Sequence, residues 1–212
     1  MITLPKVVSL GLLSVGVFVL MQVLLPIASY QIWSLGQNYN NPALNSPKIP
    51  QTNILGVSIE TKDNFPALIS NLKRSSAAVY QQFSLKISKI NLKETSVFVE
   101  SNDLTKGLVH LPGTALPGER GNVFISGHSA LSRFWSTDAY FAKLPGIKIG
   151  DEIEVEAAGS NFTYKVIEIK TINPNDISVI NPPEKSGRYI TLMTCVPPGL
   201  NFKRLIVLGK MR

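Results

Sequence analysis

Three residues in the second half of the chain have side chains suited to nucleophilic catalysis: Cys195, His128 and Arg204. Cys195 is the one cysteine of the sequence, so it is either a buried apolar residue or a reactive thiol. Arg204 follows nine residues later, beyond a Pro-Pro-Gly segment that must turn. If the flanking strands form an antiparallel pair folded at Gly199–Leu200, Cys195 and Arg204 lie opposite each other on one face. A guanidinium there favours the thiolate and can bind a carbonyl or an oxyanion.

His128 follows the strand-like run Asn122–Gly127, which predicts an accessible imidazole at the end of a strand. An imidazole in such a place can take up and return protons at neutral pH. The other histidine, His110, lies within the apolar stretch Leu108–Leu111, and we expect it to be structural. The spacing along the chain does not by itself bring His128 to Cys195.

The candidate catalytic residues lie in a region, residues 83–212, that has the pattern of an all-β domain. Residues Ser84–Ile90 alternate with period two, as a half-buried strand does. Further strands are predicted at Ser96–Glu100, Val123–Ser126, Glu152–Glu156, Phe162–Ile172, Tyr189–Thr194 and Arg204–Leu208. Turns rich in Pro and Gly separate these runs. The pattern predicts an all-β barrel or sandwich with the candidate residues at strand ends.

The amino-terminal segment, residues 1–33, is predicted to be a transmembrane anchor. Val7–Trp33 contains no charged residue and is long enough to cross a hydrocarbon core of about 30 Å as a helix. Lys6 places the amino end in the cytoplasm and the rest of the chain outside. A cleaved signal peptide is the alternative, but Pro26-Ile27-Ala28 is a poor cleavage site. We therefore expect a single-pass protein of the cell membrane with an extracellular catalytic domain.

Two segments join this anchor to the catalytic domain. Residues 34–62 contain many Asn, Gln, Ser and Pro residues and are predicted to be a polar linker. In residues 63–82 the apolar positions are spaced loosely as one helical face, with Pro66 in the first turn. The spacing predicts a possible amphipathic helix over this segment.

The charge distribution indicates neither a nucleic-acid partner nor a metal. The net charge of +7 is unevenly distributed, with only Lys6 charged in residues 1–47 and a mild excess of +4 in residues 83–212, and no run of Lys or Arg is longer than two residues. Phosphate binding favours clustered cations, so we expect no nucleic acid. The acidic alternation in Glu152–Glu156 is typical of the solvated face of a strand. We expect no metal site and no cofactor.

Four motifs resemble those of the sortase family. The sequence TLMTC, which ends at Cys195, reads as the TLxTC motif of sortases, and RLIV beginning at Arg204 matches their downstream strand. The stretch GNVFISGH, which ends at His128, is similar to the family's approach to its histidine. GDEI at residues 150–153 resembles a recurrent turn. The resemblance spans roughly residues 84–212.

The resemblance implies a closed β-barrel of about eight strands with short helices, and a role for each matching residue. Cys195 is the implied nucleophile and His128 the implied general acid and base. Arg204 is implied to orient the substrate or stabilise the oxyanion. Thr194 is implied to contribute to substrate binding or to the oxyanion hole.

The implied activity is that of a membrane-anchored cysteine transpeptidase. Such an enzyme cleaves an LPxTG-like carboxy-terminal sorting signal after its threonine and forms a thioacyl enzyme. It then transfers the secreted client protein to an amine acceptor of the cell envelope, such as a peptidoglycan precursor. Two alternatives stay open: a thiol hydrolase that passes the acyl group to water, and a non-catalytic barrel that binds envelope components.

Overall fold

The computed structural model describes residues 11–22, 24–25, 28, 31–32, 57–62, 65–74, 76–129, 139–197 and 202–212. The chain divides into two compact units, residues 1–49 and residues 50–212. In the first unit the described residues are helical, and their large apolar side chains, such as Leu13 and Phe18, are exposed. Among the described residues, no helix is both long and apolar enough to cross a membrane.

The second unit is built around a closed barrel of eight strands, as predicted. The strands are β3 (Gln82–Ile87), β4 (Leu92–Phe98), β5 (Leu108–His110), β6 (Gly121–Ser126), β7 (Glu152–Ala157), β8 (Ser160–Ile172), β9 (Arg188–Val196) and β10 (Lys203–Met211). Their order around the barrel is β10-β8-β7-β3-β4-β5-β6-β9, and β9 closes onto β10. The short helices are 3-10 turns at Ser88–Ile90, Leu104–Lys106, Leu144–Gly146 and Ser178–Ile180.

The alternation of the sequence explains why most of these strands form. In β3, Phe83, Leu85 and Ile87 are buried while the residues between them are not, so one face of the strand lines the core. The strand β5 was not predicted, because all three of its residues are buried. It pairs with β4 on one side and β6 on the other, and a short strand covered on both faces carries no alternation.

Ahead of the barrel, a hairpin replaces the predicted helix. Strands β1 (Val57–Lys62) and β2 (Phe65–Ser70) pair antiparallel, so the helix expected over residues 63–82 is wrong at β2, and the linker expected over residues 34–62 ends in a strand. Residues 34–56 lie outside the described part of the chain. The cause is tertiary: Leu68 packs on the barrel and Ser70 is hydrogen-bonded to it, which a loosely amphipathic sequence cannot reveal.

Candidate active site

A parallel pair of strands brings the predicted histidine to the end of the barrel that carries the predicted thiol. In the β6–β9 pair, Ser126 is the partner of Met193. The pairing continues beyond β6, because the Gly127 amide donates to the Met193 carbonyl over 3.1 Å. Two residues further along the chain in each case lie His128, just beyond β6, and Cys195, within β9, so the two residues are at the same level of the sheet. Neither the charge nor the spacing of the sequence indicated this parallel pairing.

The antiparallel β9–β10 pair places Arg204 directly opposite Cys195. The spacing of nine residues predicted this register, and the structure confirms it. Directly opposed residues project to the same face, so the guanidinium and the thiol leave the sheet side by side. Arg204 is only 4 % exposed, whereas Cys195 and His128 are half-buried. The rim therefore carries a half-buried thiol opposite a buried cation, with a half-buried imidazole at the end of the neighbouring strand.

Two opposing effects set the pKa of the Cys195 thiol. Burial raises the pKa above its ordinary value, because the thiolate loses hydration in the half-buried position. The charge of Arg204 lowers the pKa without cancelling the effect of burial. The protonated thiol is thus the main form at neutral pH, and the Arg204 cation favours the minor thiolate form. The Arg204 guanidinium is itself held by a hydrogen bond from Nη1 to the Lys203 carbonyl over 3.2 Å.

Thr194 contacts the strand end that carries His128. Its side chain is 2 % exposed and alternates with that of Cys195, so it points to the opposite face of β9. The Thr194 hydroxyl donates to the Gly127 carbonyl over 2.8 Å. The hydroxyl thus holds the residue before His128, and the contribution of Thr194 to substrate binding or to the oxyanion hole stays a prediction. The side-chain direction follows from strand parity, which a motif alone does not reveal.

Gly127 leaves room for the core beneath the histidine. A Cβ atom at this position would overlap with the side chains of Leu108 and Phe141. The next residue is fixed through its backbone, since the Phe141 amide donates to the His128 carbonyl over 3.0 Å. Glycine therefore lets β6 end against the core and deliver His128 to the rim.

His110 is structural, as the sequence predicted. It is fully buried, and its Nδ1 accepts a hydrogen bond from the Glu100 amide over 3.3 Å. Its Nε2 must then carry the proton, which it donates to the Ala115 carbonyl at 2.9 Å and to the Thr114 hydroxyl at 2.8 Å. Burial is the main reason that the pKa of His110 falls from 6.5 to about 4. The imidazole is neutral and braces the β5–β6 connection.

Two acidic residues of β7, Glu152 and Glu154, have cationic partners. Lys86 pairs with Glu154 at 3.0 Å, and Arg212 pairs with Glu152 at 2.7 Å. Both carboxylates are well exposed, so these pairs contribute little to stability. In the part of the chain that the structure describes, no three His, Cys, Asp or Glu side chains are grouped as metal ligands.

Sequence reasoning missed an apolar surface beside the thiol. Five buried residues form one cluster there, which we call the outer cluster: Leu111, Phe124, Ile180, Met193 and Ile206. The signal was present in β9 and β10, where apolar residues are consecutive at Leu192-Met193 and Leu205–Leu208. Consecutive apolar residues indicate a strand that is buried on both faces. Some element outside the barrel must therefore cover this part of the sheet.

Comparisons with known proteins agree with this arrangement. A family model described as a sortase domain matches residues 85–212. Sortase D of Bacillus subtilis (strain 168) is 30% identical over 130 residues, which are 59% of this chain and 61% of that protein. Sortase SrtE1 of Streptomyces coelicolor is 38% identical over 106 residues, 46% of this chain and 29% of that protein. The matched part thus spans about three fifths of the first relative and less than a third of the second.

Two solved structures are similar to this chain in both fold and sequence. A Sortase D5 transpeptidase of Clostridium perfringens superposes with a TM-score of 0.54 at 27% identity, covering 67% of this chain and 82% of that one. Sortase A of Corynebacterium diphtheriae superposes with a TM-score of 0.56 at 30% identity, covering 64% of this chain and 62% of that one. Since the family model matches more than half of the chain, and the barrel brings the motif residues to one rim, this protein belongs to the sortase family.

Proposed function

We propose that this protein is a cysteine transpeptidase that attaches secreted proteins to the cell envelope. The observation that carries the proposal is the pair of registers that gather three residues at one rim. Cys195 is directly opposite Arg204, and His128 follows Gly127, which lies just beyond β6 and is hydrogen-bonded to β9. A nucleophile, a cation and a proton carrier are the groups that acyl transfer through a covalent intermediate requires.

In the proposed reaction the Cys195 thiolate attacks the carbonyl carbon between the threonine and glycine of an LPxTG-like signal. The carbon–sulfur bond forms as the carbonyl π electrons move to oxygen, and the resulting oxyanion lies beside the Arg204 guanidinium. The carbon–nitrogen bond then breaks, and imidazolium His128 gives its proton to the departing glycine amine. The product is a thioacyl enzyme and a neutral His128.

The second half of the proposed reaction returns every group to its starting form. An amine of the envelope acceptor, such as a peptidoglycan precursor, attacks the thioester carbon. Neutral His128 takes the proton of that amine, and the thiolate leaves as the new amide forms. Arg204 again stabilises the oxyanion. Because the thiol pKa is raised by burial, only a minor part of the enzyme holds the thiolate at neutral pH.

A location at the outer side of the cell membrane suits this substrate class. Residues 7–33 carry no charge, and the described helical residues among them expose apolar side chains. Such a segment gains free energy in a lipid environment. We propose that it anchors the chain and that the barrel works outside the membrane, where sorting signals and envelope amines meet.

A peptide-library experiment tests the proposed function. The chain is incubated with quenched LPxTG-type peptides and with millimolar glycine peptides as amine acceptor, and adducts are identified by mass spectrometry. We expect a thioacyl adduct on Cys195 and an amide product, both absent in Cys195→Ala. An adduct that yields only the free acid would identify a thiol hydrolase. If every peptide leaves Cys195 unmodified while the barrel is folded, the catalytic proposal fails.

A further inference from the structure

The connection between β8 and β9, residues 173–187, begins beside the catalytic rim. Ile172, the last residue of β8, is the cross-strand partner of Arg204, so the chain leaves the barrel next to that cation. It returns to the barrel at the opposite end, where β9 begins at Arg188. The connection therefore runs along the length of the strands that carry Cys195 and Arg204.

The connection lies on the face of the sheet from which the thiol projects. Its Ile177 and Val179 pack against the outer cluster, which contains Met193. Side chains two residues apart along a strand share a face, so Met193 and Cys195 project to the same side of β9. At about 3.3 Å per residue, the cluster begins about 7 Å from the thiol. A peptide that is held at the thiol and extends along this face meets the connection.

One buried side chain of the barrel, Asn122, is hydrogen-bonded to the middle of the connection. Its Nδ2 donates to the Val179 carbonyl over 3.2 Å and to the Ile180 carbonyl over 3.0 Å. These carbonyls belong to the 3-10 turn Ser178–Ile180, and neither accepts a backbone amide in the described part of the chain. Because a buried carbonyl without a partner is costly, Asn122 supplies what the turn itself lacks.

Thr191 fixes the orientation of the Asn122 amide. The Thr191 hydroxyl lies 2.9 Å from Asn122 Oδ1, which is an acceptor, so the hydroxyl donates this bond. With Oδ1 turned to Thr191, the side-chain N–H groups point to the connection, whereas the flipped amide would set Oδ1 against two carbonyl oxygens. Thr191 is 0% exposed and Asn122 only 3%, so water does not replace these bonds easily.

The side-chain contacts near the two ends of the connection are weaker. Asn173 accepts a hydrogen bond from Lys203 at 2.6 Å, and Glu184 accepts one from the Tyr189 hydroxyl at 3.1 Å. Lys203 and Glu184 are exposed, and exposed charged groups contribute little to such attachments. The part of the connection that packs beside the thiol is therefore held by Asn122.

We infer that Asn122, oriented by Thr191, is a positioning residue that holds the connection beside Cys195 in the arrangement that binds substrate. This inference rests on the proposed function and adds to it a residue that does not touch the peptide. Without the amide the connection spends less time in place, and the apparent affinity falls by that fraction. The chemical step is unaffected, because pairing of β9 with β10 sets the register of Cys195 and Arg204.

Nearly isosteric substitutions in the full chain test the inference. Asn122→Asp keeps the acceptor for Thr191 but turns a carboxylate oxygen toward the two carbonyls of the turn. Thr191→Val is a milder variant that removes only the hydroxyl, and Thr191→Ser restores it. Asn181→Asp is the matched control, because it makes the same chemical change at an exposed position of the same connection.

Processing of a library peptide is the first measurement. We expect KM to rise about tenfold in Asn122→Asp and about threefold in Thr191→Val, with kcat within about twofold of the unaltered chain. Thr191→Ser and Asn181→Asp should retain both constants. An unchanged KM in Thr191→Val and in a folded Asn122→Asp would overturn the inference. A fall in kcat at constant KM would also overturn it, because the effect would then lie at the catalytic groups.

Hydrogen exchange separates this inference from the proposed function. The Ile180 amide donates to the Ile177 carbonyl within the turn, so it should exchange about tenfold faster in Asn122→Asp, and faster in Thr191→Val, than in the unaltered chain. If exchange rises but no protein acylates any library peptide, the transpeptidase proposal fails and Asn122 still holds the connection. If exchange at Ile180 is unchanged in the folded variants, Asn122 does not position the connection, whatever the kinetics.

Discussion

Arg204 lies directly opposite Cys195 on neighbouring antiparallel strands, and its charge lowers the pKa of a thiol that burial has raised. The cation thus acts twice in the proposed reaction. It favours the thiolate before attack, and it faces the oxyanion after attack. These two contributions can be measured separately, because only the first exists in the absence of substrate.

The first prediction concerns Arg204→Met. Without the cation the thiol pKa rises further, so the pH midpoint of Cys195 alkylation by iodoacetamide should move upward. With a processed peptide, kcat/KM should fall by about 10² to 10³, as it does when an oxyanion donor is removed. Lys203→Met is the matched control, because Lys203 is an exposed neighbouring cation, and it should retain both properties. If Lys203→Met changed the alkylation midpoint and kcat/KM as much as Arg204→Met does, the effect would arise from net charge and not from the position of Arg204.

The barrel and the facing positions of Cys195 and Arg204 could be predicted from the sequence because their signals are local. The period-two pattern of β3 and the nine residues from Cys195 to Arg204 each depend on one strand or one turn. The level position of His128 and Cys195 depends on parallel pairing of strands far apart in sequence. No local sequence pattern indicates that pairing, so only the family resemblance predicted that His128 belongs to the same site as Cys195.

The hairpin and the hydrogen bond of Thr194 to the Gly127 carbonyl could not be predicted for the same reason. Leu68 and Ser70 obtain their strand conformation from contacts with the barrel: Leu68 packs against the outer cluster, and the Ser70 hydroxyl donates to the Pro112 carbonyl. The Thr194 hydroxyl finds its partner on another strand, and its direction depends on the parity of β9 relative to the barrel. Motif similarity identifies a residue, but it does not show which face of the strand carries it.

The second prediction assigns Thr194 a positioning role. Thr194→Val keeps the shape and removes the hydrogen bond to the Gly127 carbonyl. Because the bond holds the residue before His128, kcat should fall while KM stays unchanged. The free energy of unfolding should decrease by about 1 to 3 kcal/mol. Thr194→Ser should restore kcat, since the hydroxyl is kept. A higher KM at constant kcat would instead indicate that Thr194 contacts the substrate.

The third prediction concerns the lack of space at Gly127. In Gly127→Ala the added methyl group would overlap with the side chains of Leu108 and Phe141. The free energy of unfolding should therefore decrease by about 1 to 3 kcal/mol. It should also displace His128 and lower kcat. In Gly146→Ala the added methyl group would be 3.9 Å from Ile90, an ordinary contact, so urea unfolding should show little change. Comparable unfolding midpoints for the two variants would contradict the packing described for Gly127.

The fourth prediction uses the titration of His110, whose pKa is lowered by burial from 6.5 to about 4. Between these two values the unfolded chain binds more protons than the folded chain, so this residue's contribution is present above pH 6.5 and is lost as the pH falls toward 4. From pH 7 to pH 5 the free energy of unfolding should decrease by about 2 kcal/mol on this account. The pKa of Glu119 is also lowered: burial raises it, but the hydrogen bonds from Arg74 and the Leu116 amide outweigh burial. The contribution of Glu119 to stability is lost only below pH 4.5, outside the interval from pH 7 to pH 5.

Urea unfolding at pH 7 and pH 5 measures this dependence in the unaltered chain and in His110→Gln. The variant has no titrating side chain at this position. Its free energy of unfolding should therefore decrease by about 2 kcal/mol less than that of the unaltered chain between pH 7 and pH 5, whatever its absolute stability. The comparison cancels the contributions that the other titratable groups make in both proteins. Parallel pH dependences in the two proteins would show that His110 is accessible to protons in the folded state. Its bracing of the β5–β6 connection through Ala115 and Glu100 would then have to be abandoned.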